Sequence, residues 1–214
     1  MTTAPAGARR LPDPYLIGLA GLAGAGKDTA ADRLCDQHGF ERHAFAEPIR
    51  TMVTAFLVEI GVDYDCLFDR QRKERPLPHV DVSPRQLLQA IGMSCREQFD
   101  PQFWVRATAM VLGLHDLPHS APVHDRIVIT DVRFPEEAAW IKSFGGVIVR
   151  IERDGAGLAG STGAHISEHQ HIKASWRITN NGTVGELHEH IDNLAAQLLI
   201  GPAPAGNRTN HIGS

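Results

Sequence analysis

The sequence predicts an α/β fold with a parallel central sheet covered by helices on both faces. Three apolar runs have the character of buried parallel strands: YLIGLA at 15–20, RIVIT at 126–130 and VIVRIE at 147–152. Segments with helical spacing of their apolar residues alternate with these runs, as the crossovers of a parallel sheet require. A domain of this class fits the length of the chain, 214 residues.

The remaining strands are shorter and their signals are weaker. RHAF at 42–45 is a candidate second strand, and WRIT at 176–179 is a candidate last strand. Each lies next to a helical segment, so the alternation continues through the chain.

The predicted helices carry start and stop signals as well as an apolar face. One follows Lys27 and stops at Gly39, and another begins near Pro101 and runs to about Leu112. PEEAAWIKSFGG at 135–146 is a short helix with a glycine stop. The segment 47–60 has proline in its first turn and an apolar stripe made of Ile49, Val53, Phe56, Leu57 and Ile60.

Capping boxes predict where two further helices begin. Ser83 with Gln86 opens the helix after residue 83, and Thr183 with Glu186 opens the last helix. The segment between residues 62 and 82 mixes acids, bases and prolines and is expected to be loop.

The domain organisation follows from these elements and from composition. We expect a single domain over residues 15–199, flanked by a disordered leader (1–14) and a disordered tail (200–214). The mostly helical segment 47–113 is an insertion between the first and third strong strands. The Gly-, Ser-, Thr- and His-rich segment 153–173 is a polar lid.

Composition excludes several classes of function. A formal net charge of -4 gives no general basic field for nucleic acid, and no apolar run is long enough to span a membrane. The three cysteines are widely spaced and contain no C-x-x-C pair, which argues against a disulfide framework. A reducing cytoplasm is the expected compartment.

The stretch GLAGAGK at 21–27 follows the first strand and opens a helix, as a phosphate-binding loop does. Backbone N–H groups at a helix N-terminus suit phosphate oxygens, and Lys27 supplies a mobile cation for the β- and γ-phosphates. The simpler alternative is a glycine-rich turn with a solvated lysine. The predicted nucleotide-binding residues are Gly21, Gly24, Ala25, Gly26, Lys27, Asp28 and Thr29.

Asp28 stands where many phosphate loops carry a magnesium-binding hydroxyl. The carboxylate is favourable beside the positive end of the helix dipole, and it can serve Mg²⁺ through water. Thr29 follows at once and can face phosphate from the first helical turn. Whether Asp28 serves the metal or only the helix end is left open.

GLAGAGKDTAADRL resembles the nucleoside-monophosphate kinase branch of the phosphate-loop proteins, and GKDT resembles the phage-type deoxynucleoside monophosphate kinases. The resemblance covers about residues 15–199 and implies a three-layer sandwich of the P-loop NTPase class, with an acceptor-binding insertion and a lid. It is carried in order by FAEPIR (45–50), SPRQLLQAIGMSCREQFDPQFWV (83–105), TDVRFPEEAAWIKSFGGVIVRIER (130–153), HISE (165–168) and ITNNGTVGEL (178–187).

The resemblance implies transfer of the γ-phosphate of ATP, with Mg²⁺, to a deoxynucleoside monophosphate. Asp131 ends a buried strand, where a carboxylate can orient magnesium-bound water or the acceptor phosphate; its alternative is to cap the helix near Pro135. Arg133, Arg150 and Arg153 are candidate cations over the transferring group. Each alone is more typical of a surface salt bridge, but three arginines together at strand ends favour the site. The catalytic set is Lys27, Asp131, Arg133 and Arg153.

The helical insertion is expected to hold the acceptor. Arg50, Arg85 and Arg96 are placed to meet a monophosphate, and Gln89 lies four residues after Arg85 on the same helical face, where an amide can read a base edge. Trp104 can stack on a base, although a single tryptophan is also typical of a core.

Two further motifs belong to the nucleotide sites that the resemblance implies. HISE supplies His165, Ser167 and Glu168 from the lid, and a metal site in HISEHQH is disfavoured because no cysteine is near. NNG at 180–182 resembles the loop that lines the donor adenine, with Asn181 and Gly182 as its nucleotide-binding residues. A plain turn before a capped helix remains the alternative.

Two other functions remain open. One is a dephospho-coenzyme A kinase or another small-molecule kinase, for which Asp131 would be the base that a hydroxyl acceptor needs. The other is a nucleotide-dependent switch or assembly ATPase, disfavoured by the missing hydroxyl at position 28. The expected partners are small-molecule nucleotides, in the host cytoplasm if a phage encodes the chain. The oligomeric state is open, a homodimer included.

Overall fold

The computed structural model describes residues 15–69, 71–114, 125–157, 172–200 and 210–212. These residues fall into two compact units. The sheet unit lies within Met1–His43 and Pro122–Ser214, and the helical unit lies within Ala44–Ala121. The helical unit includes the segment 47–113 that the sequence analysis assigns to the acceptor.

The strands in the described residues are β1 Tyr15–Ala20, β2 Glu41–His43, β3 Arg126–Ile129, β4 Val147–Glu152, β5 Trp176–Thr179 and β6 Asn210–Ile212. They form one sheet in the order β2-β3-β1-β4-β5-β6, with every neighbouring pair parallel. The central strand β1 pairs with β3 through Gly18 and Ile129 and with β4 through Ala20 and Arg150.

Helices cover both faces of this sheet. Ile17 and Leu19 of β1 share a buried cluster with Leu34 of α1 (Lys27–His38) and Ile191 of α6 (Val184–Ile200). On the opposite face, a Cβ added to Gly18 would lie 2.6 Å from the Cδ1 of Ile141 in α5 (Pro135–Ser143). Alternate residues of one strand thus pack on different helices. The predicted α/β fold with a covered parallel sheet is confirmed.

The helical unit contains α2 (Glu47–Glu59), α3 (Pro84–Gln98) and α4 (Phe103–Val111). The predicted capping box of α3 is present: Gln86 N donates to Ser83 Oγ at 3.2 Å, and Ser83 N donates to Gln86 Oε1 at 2.8 Å. The segment predicted as loop contains two short 3-10 helices, Tyr64–Leu67 and Arg72–Glu74. A core of the helical unit comprises Val53, Leu57, Cys66, Leu67 and Leu77.

The apolar stripe of α2 is wider than the surface that covers it. Ile49, Val53 and Leu57 are buried, but Phe56 is 41% and Ile60 is 40% exposed. The helical spacing of apolar residues predicted the correct buried face of α2. Phe56 and Ile60, at the border of that face, are not covered by the rest of the unit.

The tail contains a short strand that the sequence analysis did not predict. Residues 210–212, within the segment 200–214 predicted to be disordered, pair with β5 through Trp176 and Asn210 and through Ile178 and Ile212. Without residues 210–212, β5 would be an edge strand, and the backbone N–H and C=O groups of such a strand can bond an extended segment. The composition of residues 200–214 does not reveal that residues 210–212 pair with a strand more than thirty residues earlier in the chain.

An ion-pair cluster joins α1 to α6. Arg33 donates to Asp192 through Nε at 2.9 Å and through Nη2 at 2.6 Å, and His38 Nε2 lies 2.8 Å from Asp192 Oδ1. The hydrogen bonds from Arg33, with a smaller effect from His38, lower the pKa of Asp192 from 3.8 to about 2.

We expect Asp192→Asn to lower stability at neutral pH by about 1 kcal/mol or less, the scale of partly exposed ion pairs. Since the folded-state pKa is depressed, the contribution is present above the ordinary pKa and disappears as pH falls toward 2. The difference in Tm between wild type and variant should therefore shrink between about pH 5 and about pH 2. Asp36→Asn, at an exposed position of α1, is the control. A difference that is constant with pH would contradict the prediction.

Candidate active site

The loop between β1 and α1 adopts a conformation that its glycines permit. Gly21, Gly24 and Gly26 have φ values of 142°, 81° and 104°, which residues other than glycine rarely adopt. Gly21 is also constrained by space, because an added Cβ would collide with the backbone oxygen of Ile151. The same addition at Gly24 meets nothing within 4 Å. The loop therefore requires glycine at position 21 for two reasons and at position 24 for one.

Lys27, the first residue of α1, folds back over this loop. Its Nζ donates to Gly21 O and to Leu22 O, each at 2.8 Å. The ammonium group is thereby held beside the backbone that precedes the helix N-terminus. A cation and a helix N-terminus in one place form an arrangement suited to a phosphate chain.

Asp28 pairs with Arg42 of β2, which also donates to Asp32 at 2.8 Å. Asp28 and Asp32 lie one turn apart on α1, so one guanidinium spans both carboxylates. The side chain of Asp28 is 82% exposed. Thr29 is half-buried in the first turn. Sequence analysis missed Arg42, for which the strand carries no local signal.

Asn180 belongs to the NNG motif, but the sequence analysis gave it no role of its own; in the structure it bonds to the backbone of the phosphate loop. It follows β5, is 5% exposed, and donates through Nδ2 to Ala25 O at 2.8 Å. The alternation of side chains along a strand could have identified it. Trp176 and Ile178 point inward, so the side chain at position 180, two residues further on, is expected to be buried as well.

The carboxyl ends of the parallel strands lie at the edge of the sheet that carries the phosphate loop. Asp131 is half-buried two residues after β3, beside β1, since Val132 N donates to Leu19 O at 3.1 Å. The cap of α5 is formed by the buried Glu137, whose Oε2 accepts from Arg133 N at 2.7 Å and Phe134 N at 3.0 Å. Phe134, not Asp131, occupies the N-cap position.

The predicted cations of β4 are also at this edge. Arg150 pairs in register with Ala20, the residue before the loop, and its Nη2 donates to Ile172 O at 3.3 Å. Arg153 follows the strand and is exposed, as is the side chain of Arg133. Gly157 N donates to Ala23 O at 3.0 Å. The start of the predicted lid thus contacts the phosphate loop.

Asn181 connects the two loops that follow β4 and β5. Its Oδ1 accepts from Asp154 N at 2.9 Å, and its Nδ2 donates to Asp154 Oδ2 at 2.8 Å. Gly182 precedes the predicted capping box of α6, which is present: Thr183 N donates to Glu186 Oε2 at 2.7 Å. A Cβ on Gly182 would collide with that carboxylate.

In the helical unit, Arg85, Gln89 and Arg96 lie on one side of α3, because their spacing of four and seven residues returns to the same face. Arg85 forms an ion pair with Glu74, and Arg96 is only 8% exposed. Arg50 is half-buried on α2.

The structure places Trp104 in a buried position, which does not fit the stacking role considered for it. It is 3% exposed, and its Nε1 donates to Gly92 O at 2.9 Å, which joins α4 to α3. Phe103 lies edge-on to it, with centroids 4.8 Å apart. A ring buried in this way has no face on which a base can stack, so Trp104 belongs to the core of the helical unit.

We expect Trp104→Phe to lower the free energy of unfolding by about 1 to 2 kcal/mol, because the hydrogen bond to Gly92 is lost while an aromatic ring remains. Thermal or urea unfolding measures this change, with Phe99→Leu as the control at a side chain that is largely exposed. A raised KM for a nucleotide with unchanged stability would instead restore the stacking role.

Three predicted residues, His165, Ser167 and Glu168, lie outside the described residues. In the described part of the chain, no group of three or more His, Cys, Asp or Glu side chains is arranged to hold a metal ion. No described helix is both long enough and apolar enough to cross a membrane.

The sheet unit therefore carries a cation, a helix N-terminus, a strand-end carboxylate and several arginines at one edge. A family model described as deoxynucleotide monophosphate kinase matches residues 74–191. A "Putative deoxynucleotide monophosphate kinase" of Acanthamoeba polyphaga mimivirus is 32% identical over 187 residues, 82% of this chain and 93% of the relative. An "Uncharacterized protein ORF76" of Ictalurid herpesvirus 1 (strain Auburn) is 29% identical over 189 residues, 86% of this chain and 68% of the relative. The chain belongs to the deoxynucleotide monophosphate kinase family, and it is therefore placed among the phosphotransferases.

Proposed function

We propose that the chain transfers the γ-phosphate of ATP to a deoxynucleoside monophosphate, giving a deoxynucleoside diphosphate and ADP, with Mg²⁺ as the metal. The observation that carries the proposal is the β1–loop–α1 unit, in which Lys27 lies over a loop of three left-handed glycines at a helix N-terminus. In a chain of this family, that unit is the natural cradle for the donor phosphates.

The donor is held by backbone and by Lys27. The N-cap residue of α1 is Gly26, which offers no side-chain cap, so the N–H groups of the first turn are available to phosphate oxygens, which the helix dipole also favours. To bind phosphate, Lys27 exchanges the carbonyls of Gly21 and Leu22 for phosphate oxygens. Asn181 and Gly182 lie in the loop that we assign to the donor adenine.

The oxygen ligands near this cradle fit Mg²⁺. Asp28, Thr29 and Asp131 offer carboxylate and hydroxyl oxygens, which that ion prefers, and few of them are needed because magnesium keeps several waters. The bound ion supplies charge neutralisation between donor phosphates. Arg42 holds the carboxylate of Asp28 in the structure, so Asp28 serves the metal only by sharing or leaving that pair.

Arg133, Arg150 and Arg153 would neutralise the charge that develops on the transferring group. Arginine suits this role because its planar fork matches phosphate oxygens. Arg150 lies in register with the residue before the loop, and Arg153 begins the segment that contacts the loop at Gly157. Lid residues His165, Ser167 and Glu168 complete the nucleotide contacts in this proposal.

The helical unit would bind the acceptor. Arg50, Arg85 and Arg96 are the cations that we assign to its monophosphate, with Gln89 reading the base. Arg85 must then exchange Glu74 for phosphate. No general base is required, because the acceptor phosphate attacks as an anion; catalysis is positioning and charge neutralisation. A homodimer is compatible with this scheme.

The free cysteines Cys35, Cys66 and Cys95 support a reducing cytoplasm as the compartment. In the case of a phage-encoded chain, that compartment is the host cytoplasm. Small nucleotides and magnesium are the partners that the reaction needs there.

The proposal is tested by incubating the purified chain and Mg²⁺ with labelled ATP and a panel of acceptors, followed by thin-layer separation. A labelled deoxynucleoside diphosphate supports it, and the panel of deoxynucleoside and ribonucleoside monophosphates gives the base and sugar preference. Phosphorylated dephospho-coenzyme A would identify a hydroxyl acceptor instead. Release of free phosphate alone, with every acceptor, would identify an ATPase and overturn the proposal.

A further inference from the structure

We propose that Asn180 is a positioning residue for the donor phosphates: it fixes the Ala25–Gly26 peptide so that the N–H of Gly26 points toward the nucleotide. The inference rests on the proposed function, because it concerns the same phosphate loop. It assigns a role to a buried amide that touches the loop backbone.

The contact between Asn180 and the loop joins residues that are distant in sequence. The side chain is 5% exposed, and its Nδ2 donates to Ala25 O at 2.8 Å in a fully buried hydrogen bond across 155 positions. The backbone of Asn180 is anchored independently, since its N–H donates to Glu152 O at 2.7 Å. The amide therefore reaches the loop from a rigid position at the end of the sheet.

Planarity of the peptide transmits this contact to the other side of the loop. In a trans peptide the carbonyl of one residue and the N–H of the next point in opposite directions. Holding Ala25 O on Asn180 consequently directs the Gly26 N–H away from Asn180. The carbonyl of Gly26 is fixed as well, because it accepts from Ala30 N at 3.0 Å in the first turn of α1.

The packing places the side chain of Asn180 directly against Gly26. Gly26 has φ 104°, and a Cβ there would collide with Asn180 Nδ2 and lie 3.3 Å from Leu187 Cδ2. Asn180 thus fills the space directly behind the loop. A buried donor in that position keeps the carbonyl satisfied, whereas a carboxylate of the same size would repel it and oppose phosphate binding.

Asn180→Asp tests the role with almost no change in volume. We expect the Kd for ADP, measured by calorimetry, and the KM for ATP to rise at least about tenfold, the scale of one lost charge-assisted contact. The KM for the deoxynucleoside monophosphate should stay within about twofold, since the peptide faces the donor only. Asn193→Asp, on an exposed position of α6, is the matched control with unchanged constants.

A role in folding alone would give a different result. It would lower Tm and the yield of active enzyme while leaving the KM for ATP and the Kd for ADP unchanged. That outcome in folded Asn180→Asp would overturn the inference.

A measurement on the wild-type chain covers the case in which the variant does not fold. In a ¹⁵N–¹H spectrum, the Gly26 amide should shift on addition of ADP and stay in place on addition of adenosine. A Gly26 amide that ADP leaves unmoved would overturn the inference. Wild-type protein that binds neither ADP nor ATP would overturn the proposed function itself, so the two failures are distinguishable.

Discussion

Replacing Lys27 with alanine should reduce phosphoryl transfer by about three orders of magnitude or more, the scale of losing a cation at a transferring phosphoryl group. The ammonium lies on the carbonyls of Gly21 and Leu22, directly over the predicted phosphate cradle. The fold should survive, because the side chain is only half-buried. Product formation and circular dichroism melting measure the two effects.

Lys142→Ala provides the matched control, since Lys142 is an exposed lysine of α5 in the same unit and lies outside the predicted site. Its activity should equal that of the wild type. Lys27→Arg restores the charge but not the shape, and because arginine is not a substitute for a compact ammonium it should recover only part of the activity. Full activity of Lys27→Ala would show that the donor phosphates bind elsewhere.

The second large effect is expected for Gly21→Ala. Its φ of 142° disfavours any side chain, and the new Cβ would collide with a backbone oxygen, that of Ile151. The end of β4 cannot move aside as a side chain can, so the loop must shift. We expect a loss of nucleotide affinity of at least about tenfold, with a destabilisation of about 2 kcal/mol or more.

Gly24→Ala separates steric collision from backbone preference. Gly24 also has positive φ, but its added Cβ meets no atom within 4 Å. This variant should lose only about 1 to 2 kcal/mol, the cost of a side chain in a left-handed conformation. Calorimetric titration with ADP and thermal unfolding of both variants test the ranking. Equal effects would show that the contact with Ile151 carries no weight.

The fold was largely predictable because its signals are local. The runs at 15–20, 147–152 and 176–179 are strands with the predicted bounds, since a short apolar run between helical segments has few other solutions. The capping boxes at Ser83 and Thr183 formed as predicted, because both partners lie within four residues of each other.

The features that sequence analysis missed depend on distant partners. The bond from Asn180 to Ala25 and the pairing of residues 210–212 with β5 both join segments that no local pattern relates. The indole ring of Trp104 is of a type that can stack on a base, but whether the ring is exposed depends on how α4 packs on α3. For the candidate site, the sequence located the loop and the strand ends, while the partners of Arg42 and Glu137 required the structure.

The strand order has a consequence for the order of folding during synthesis. The first strand is the central one, and its neighbours β3 and β4 enter the chain more than a hundred residues later. The most buried strand thus stays unpaired on both edges until the chain has been made to Ile129, and on one edge until it has been made to Glu152. The contacts of the helical unit are closer in sequence and are available sooner. We expect β1 to need protection from aggregation on the ribosome until its sheet partners emerge.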